Sequence, residues 1–197
     1  MYKKILFCLI ASITCLQAAE KAPCANATWV FEHLDTIADF PQPGIQFKSI
    51  TPLLKNPEAF KRVIKLFADR YRDTHLDAIV GLDSRGFIFG TALAYELNLP
   101  FLLVRKQGKL PGDVISVKYD LEYGKSCFEM EKSSIKKGQK VLIVDDVLAT
   151  GGTMKAAGEL ITKLGGQVYE GACLIEIPFL KGRDTLSFPL FSVVTTD

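Results

Sequence analysis

From Asn56 onward the hydrophobic pattern alternates between helical spacing and short continuous apolar runs, and this alternation restricts the chain to a small set of folds. "NPEAFKRVIKLFADRYRD" (56–73) puts Phe60, Val63, Ile64, Phe67, Ala68 and Tyr71 on one helical face, behind Asn56 as an N-cap and Pro57 at the first helical position. "DAIVGLD" (77–83) predicts a buried strand, "GFIFGTALAYELN" (86–98) a helix, and "FLLVRK" (101–106), after Pro100, the next strand. Such alternation implies right-handed βαβ units and a parallel sheet.

Past Lys106 the pattern dissolves into "QGKLPGDVI" (107–115), whose glycines, proline and charges predict a mobile loop. "SVKYDLEYGKSCFEMEK" (116–132) predicts an antiparallel hairpin turning at Tyr123-Gly124. "KVLIVDD" (140–146) is apolar on both faces until its end, as a central strand must be. A helix from about Thr153 to Leu164 follows, stopped by Gly165-Gly166, and "QVYEGACLIEI" (167–177) and "FSVVTT" (191–196) supply the last strands.

At 197 residues there is room for one globular unit and a leader. "MYKK", "ILFCLIASITCL" and "QAA" together have the basic, apolar and small-residue layout of a signal peptide, and equally of an apolar N-terminal helix. The expected organisation is therefore a leader over 1–19 and a single domain over 20–197. Without the leader the 24 basic residues fall to 22, equal to the 22 acidic ones. A neutral chain argues against a nucleic-acid partner and against a polybasic membrane contact. Cys8, Cys15, Cys24, Cys127 and Cys173 form no C-x-x-C pair and read as free thiols, neither a disulfide frame nor a zinc site.

The chemistry concentrates in "VLIVDDVLATGGT" (141–153). Ala149, Thr150, Gly151, Gly152 and Thr153 offer unobstructed backbone N–H groups and two hydroxyls with a helix directly behind them, which makes a phosphate cradle. Carboxylates repel phosphate, so Asp145 and Asp146 must face something else. The vicinal hydroxyls of a ribose donate to carboxylates, and a ribose 5-phosphate satisfies both halves of the motif. A Walker B strand would need an upstream G-x-x-x-x-G-K-[ST], which is absent. A receiver domain would lack "TGGT", and a solvated, inert acid pair leaves the adjoining loop without a purpose.

"VLIVDDVLATGGT" resembles the phosphoribosyl pyrophosphate motif of type I phosphoribosyltransferases. "DFPQPGIQFKSITPLL" (39–54), "GLDSRGFIFG" (81–90), "VRKQGKLPG" (104–112) and "YDLEYG" (119–124) are similar, in the same order and spacing, to the adenine-using branch of that family. The likeness runs from about residue 28 to the C-terminus. It implies a type I phosphoribosyltransferase fold: an α/β architecture with a central parallel sheet flanked by helices, a small hood from the N-terminal segment and a flexible catalytic loop.

The implied activity joins adenine and 5-phosphoribosyl 1-pyrophosphate into AMP and pyrophosphate, with Mg²⁺ held by pyrophosphate and water and by no direct protein ligand. Asp83, Ser84 and Arg85 would meet pyrophosphate, with the Asp83-Ser84 peptide often cis in the family. Arg105, Lys106 and Lys109 would belong to the loop that closes over substrates. Glu122 would be the acid or base at the purine ring, with Tyr123 beside it. Gln46, Phe47, Lys48 and Val147 would line the adenine pocket. The sequence departs from the family there, with Lys48-Ser49 for the usual Arg-Asp and Gln46 where a hydrophobic residue is common. Another purine base (xanthine, guanine or hypoxanthine) and a noncatalytic sensor of the phosphoribosyl donor are the alternative readings. The resemblance further implies a homodimer. The supply of donor and magnesium favours the cytoplasm, whereas a cleaved leader would place the protein in the periplasm or outside the cell.

Overall fold

The computed structural model describes residues 27–120 and 125–196. A 3₁₀ helix, Thr28–His33, leads into a small antiparallel hairpin of β1 (Asp35–Ala38) and β2 (Gln46–Ser49), in which Ile37 opposes Phe47 and Thr36 opposes Lys48. This hairpin is a sheet of its own. Its turn is pinned by Asp39 Oδ1, which accepts the Gly44 N–H at 2.7 Å.

A short helix α1 (Thr51–Lys55) and the longer α2 (Pro57–Tyr71) follow. The Asn56 side chain accepts the Ala59 N–H at 3.1 Å, the cap expected for Asn before Pro. The buried face of α2 is Ala59, Val63, Ile64, Phe67, Ala68 and Tyr71, while Phe60 is only half-buried. At its end, Arg70 Nη2 and the Tyr71 hydroxyl donate to Glu170 at 2.7 and 2.6 Å, so the buried carboxylate has both oxygens satisfied.

The main sheet is built from β3 (Ala78–Leu82), β4 (Phe101–Lys106), β5 (Val114–Asp120), β6 (Lys125–Glu131), β7 (Lys140–Leu148), β8 (Gln167–Glu176) and β9 (Leu190–Thr195). Its order is β5-β6-β4-β3-β7-β8-β9, parallel from β4 to β9, with the β5-β6 hairpin added antiparallel at one edge. Strand β7 is central, as its apolar run requires.

Helices α3 (Gly86–Leu97) and α4 (Gly152–Lys163) follow β3 and β7. The interior divides into two layers by strand alternation. Leu142 and Val144 face the layer holding Phe67, Phe89 and Leu93 from α2 and α3; Val141 and Ile143 face the layer holding Met154, Leu160 and Ile161 from α4.

Two expected boundaries move. The hairpin begins at Val114 and not at Ser116, because Val114 to Ser116 pair with Glu131 to Glu129 and shorten the loop to 107–113. Strand β7 runs on past the aspartates to Leu148, because Val147 and Leu148 pair with Ile175 and Glu176. Cys127 and Cys173 are buried free thiols. The leader, the other three cysteines, and Glu122 and Tyr123 at the hairpin turn lie outside the described residues. No described helix is long and apolar enough to cross a membrane.

Candidate active site at the carboxyl ends of the parallel strands

Parallel strands leave their following turns at one end of the sheet, and three such turns meet here. Those after β3, β4 and β7 carry Asp83 to Arg85, Lys106 to Lys109, and Ala149 to Thr153.

The Asp83-Ser84 peptide is cis. Asp83 turns back toward β4, accepting from Arg105 Nε at 3.3 Å and from the Lys106 N–H at 3.4 Å. Arg105 in turn donates from Nη1 to the Lys109 carbonyl at 3.2 Å. Lys106 and Lys109 are exposed at the rim. Ser84 is exposed at the head of the turn.

The adjacent aspartates share Arg85 as a neighbouring cation but differ in exposure. Asp146 is 2% exposed and lies 3.0 Å from Arg85 Nε through its Oδ2. Burial raises its carboxyl above the ordinary range, and Arg85 partly opposes that rise. Asp145 is half-buried, and its Oδ1 accepts the Asp146 N–H at 2.9 Å. Burial, followed by the neighbouring Asp146 charge, holds its carboxyl well above the usual value. Helix α3 comes close behind this pair: a Cβ at Gly86 would stand 3.1 Å from Asp145 Oδ1 and also meet the Val144 carbonyl.

The loop after β7 turns at Gly151, with φ +84°, and α4 begins at Gly152 with no side chain capping it. The first N–H groups of a helix have no intrahelical acceptor, and here no cap competes for them. Gly151 is required twice over, by its left-handed backbone and because a Cβ would run into the Thr185 hydroxyl and the Gly182 carbonyl.

The hood hairpin folds over this end of the sheet. The Arg85 guanidinium carbon is 5.0 Å from the Phe47 ring centroid, and Phe40 meets that ring edge-on at 5.1 Å. Phe47 therefore reaches the acid pair through Arg85. Gln46 and Lys48 leave from the other face of β2, where Lys48 Nζ donates to Thr36 Oγ1 at 3.2 Å. Val147 is half-buried and packs on the α2–α3 layer. A cleft of about 440 Å³ lies between the 3₁₀ helix and α2, lined by Trp29, His33, Arg62 and Lys65 among others. It holds none of Asp145, Asp146, Arg85 or residues 149–153, and the chemistry follows those groups.

Residues 49–193 match the phosphoribosyl transferase domain model. Adenine phosphoribosyltransferase of Roseiflexus sp. is 53% identical over 159 residues, covering 80% of this chain and 92% of the relative. The chain belongs to the adenine phosphoribosyltransferase family. The family's enzyme from Cricetulus griseus is 50% identical over 169 residues, covering 84% of this chain and 94% of the relative. The crystal structure of adenine phosphoribosyltransferase from Saccharomyces cerevisiae, complexed with an imino-altritol bisphosphate and adenine, superposes with a TM-score of 0.82 at 41% identity, covering 85% of this chain and 98% of that one.

Set against that family, the expected residues gather unevenly. Arg85, Asp145, Asp146, Phe47 and the 149–153 loop converge at one end of the sheet. Arg105 reaches the site only through Asp83 and Lys109, and Gln46 and Lys48 face away from Phe47. Sequence reasoning missed Gly182 and Thr185, which pack against Gly151 in the 149–153 loop; no periodicity or motif marks them.

Proposed function

We propose that the chain catalyses phosphoribosyl transfer in purine salvage: adenine and 5-phosphoribosyl 1-pyrophosphate become AMP and pyrophosphate. The observation that carries this reading is one strand, β7, delivering two carboxylates and then an uncapped helix N-terminus behind Gly151. In this reading one ribose 5-phosphate engages both, its phosphate on the amides and its hydroxyls on Asp145 or Asp146.

In the step itself a ring nitrogen of adenine bonds to the anomeric carbon, the bond from that carbon to the pyrophosphate oxygen breaks, and pyrophosphate leaves with the electron pair. The nitrogen's proton must go to a base. Glu122 is that base by family correspondence, a role worth roughly 10²- to 10⁴-fold. Positive charge grows on the ribose as the leaving group departs, and the acid pair beneath it stabilises that charge. Arg85, and the turn from Asp83 to Ser84, face the leaving group, with Lys106 and Lys109 at the rim. Phe47 offers adenine an aromatic face.

The chain's donors suit magnesium as a substrate-borne ion. Asp146 Oδ2 is a hard, buried oxygen with no hydrogen bond, while no group of three potential ligands occurs among the described residues. Asp145 and Asp146 would hold the ion's waters or the ribose oxygens. Held there, magnesium would supply positive charge to offset that of the departing pyrophosphate.

A single domain from residue 20, a homodimer and a cytoplasmic location complete the reading, supported by the family and by where the donor is made. The test is pyrophosphate release with Mg²⁺, the donor and each purine base in turn, beside Glu122→Gln. Release with adenine, abolished in the variant, is expected; release only with guanine, hypoxanthine or xanthine would reassign the base, and tight donor binding without release would make the chain a sensor.

A further inference from the structure

The segment from Ile177 to Thr185 supplies none of the groups assigned above, yet it lies directly behind the phosphate loop. Its first residue is joined to the end of β7, the Ile177 N–H donating to the Leu148 carbonyl at 3.0 Å. Two 3₁₀ turns follow, Pro178–Leu180 and Gly182–Thr185, linked by Lys181 in a left-handed conformation, φ +54°. The second turn packs backbone against backbone on the loop. A Cβ at Gly182 would fall on the Ala149 carbonyl and within 2.9 Å of the Gly151 nitrogen. Reciprocally, a Cβ at Gly151 would meet Gly182 and Thr185. The two segments are therefore in close backbone contact, with no room for a side chain between them.

One side chain holds the second turn in place. Arg183 donates from Nε to Glu176 Oε1 at 2.9 Å, from Nη2 to Oε2 at 2.5 Å, and from Nη1 to the Leu190 carbonyl at 2.7 Å. Ser192 Oγ donates to Glu176 Oε2 at 2.7 Å. Glu176 closes β8 and Ser192 stands on β9, at 4% and 2% exposure. The guanidinium thus ties the turn to the carboxyl end of β8 through Glu176 and to the start of β9 through the Leu190 carbonyl. With the Arg183 side chain 39% exposed, the ion pair adds little net stability, but its bidentate geometry fixes position closely.

We propose that Glu176, Arg183 and Ser192 form a latch that sets the phosphate loop through Gly182 and Thr185, and so governs affinity for 5-phosphate ligands. This rests on the reading that residues 149–153 hold the 5-phosphate. The three are positioning residues and touch no ligand themselves. A latch of this kind acts on one end of the substrate. Its loss weakens AMP, whose phosphate sits on the loop, and spares pyrophosphate, which the reading places at Arg85 on the other side.

The experiment compares full-length wild type, Arg183→Ala, Arg183→Lys and Glu176→Gln by calorimetric titration with AMP and, separately, with magnesium pyrophosphate, each protein first checked by thermal melting. Arg183→Lys keeps a charge opposite Glu176 while losing the fork, and it decides the matter if Arg183→Ala does not fold. Expected is a loss of AMP affinity of about 10- to 100-fold in the folded variants, the scale of a small misplacement near a site, with pyrophosphate affinity unchanged and the donor's KM raised more than kcat is lowered. Folded variants that bind AMP as wild type does, or that lose both ligands equally, would overturn the latch. Wild type that fails to bind AMP at all would instead overturn the phosphate-loop reading, and the latch with it.

Discussion

Arg85 Nε stands 3.0 Å from Asp146 Oδ2, yet among the described residues that oxygen accepts no hydrogen bond. The pair has charge proximity without the bond. With Asp146 enclosed and Arg85 partly open, the arrangement suits a ligand that hydrogen-bonds the carboxylate and leaves the cation to an anionic leaving group.

Arg85→Gln should therefore cut kcat/KM by roughly 10²- to 10³-fold, the scale seen when one charge-stabilising donor is removed. It should also lower the melting temperature at neutral pH, because buried Asp146 loses its counter-charge. That deficit should shrink as pH falls and Asp146 becomes neutral. Steady-state kinetics and melts from pH 4 to 8 check both; equal deficits at all pH values would mean that Arg85 does not serve Asp146.

Asp145→Asn separates function from stability. Burial and the Asp146 charge raise the Asp145 carboxyl well above its ordinary value, so between the unfolded value, about 3.9, and the raised one the folded chain binds more protons than the unfolded chain. Stability then declines as pH rises through that window and stays reduced above it. The Asn variant keeps an acceptor for the Asp146 N–H and escapes the decline. Expected is a higher melting temperature than wild type at pH 8, convergence below pH 4, and a loss of turnover. A lower melting temperature at pH 8 would contradict the assignment.

Gly151→Ala should cost about 1–2 kcal/mol from its left-handed backbone alone, with the collision against Thr185 and Gly182 in addition. Denaturant unfolding should show the loss, and ribose 5-phosphate binding should fall in parallel. Unchanged ribose 5-phosphate affinity would remove the phosphate from this loop.

Phe47→Ala should raise the KM for adenine by about 10-fold, equivalent to 1.4 kcal/mol, while Lys48→Ala leaves it unchanged, since Lys48 faces Thr36 on the far side of the hairpin. An effect of Lys48→Ala as large as that of Phe47→Ala would mean that the hood rearranges on binding.

Residues 1–19 carry a prediction of their own. The mass of the protein isolated from its native cells should correspond to a chain beginning at Met1 in the cytoplasmic fraction; a start near Glu20 in a periplasmic extract would place the enzyme outside.

Much was legible in order of sequence because it is local. Asn56-Pro57 announces α2, the run from Val141 to Val144 announces a strand buried on both faces, and Gly151-Gly152 announces the turn into α4; each depends on neighbours within a turn or a strand. Boundaries were less legible. Strand β7 outruns its aspartates because β8 keeps pairing with it, and that partner lies some thirty residues on.

The sequence by itself determined the α/β alternation, the central strand and the acid-then-glycine order of the site, because helix and strand periods and cap chemistry are written within a few residues. Only the tertiary structure decided that Asp146 is enclosed while Asp145 is half-buried, that Phe47 of the hood lies over Arg85 while Lys48 turns away, and that Gly182 backs Gly151. Those contacts join distant segments. They are selected by which faces pack once the sheet has formed, and packing has no period that a sequence can display.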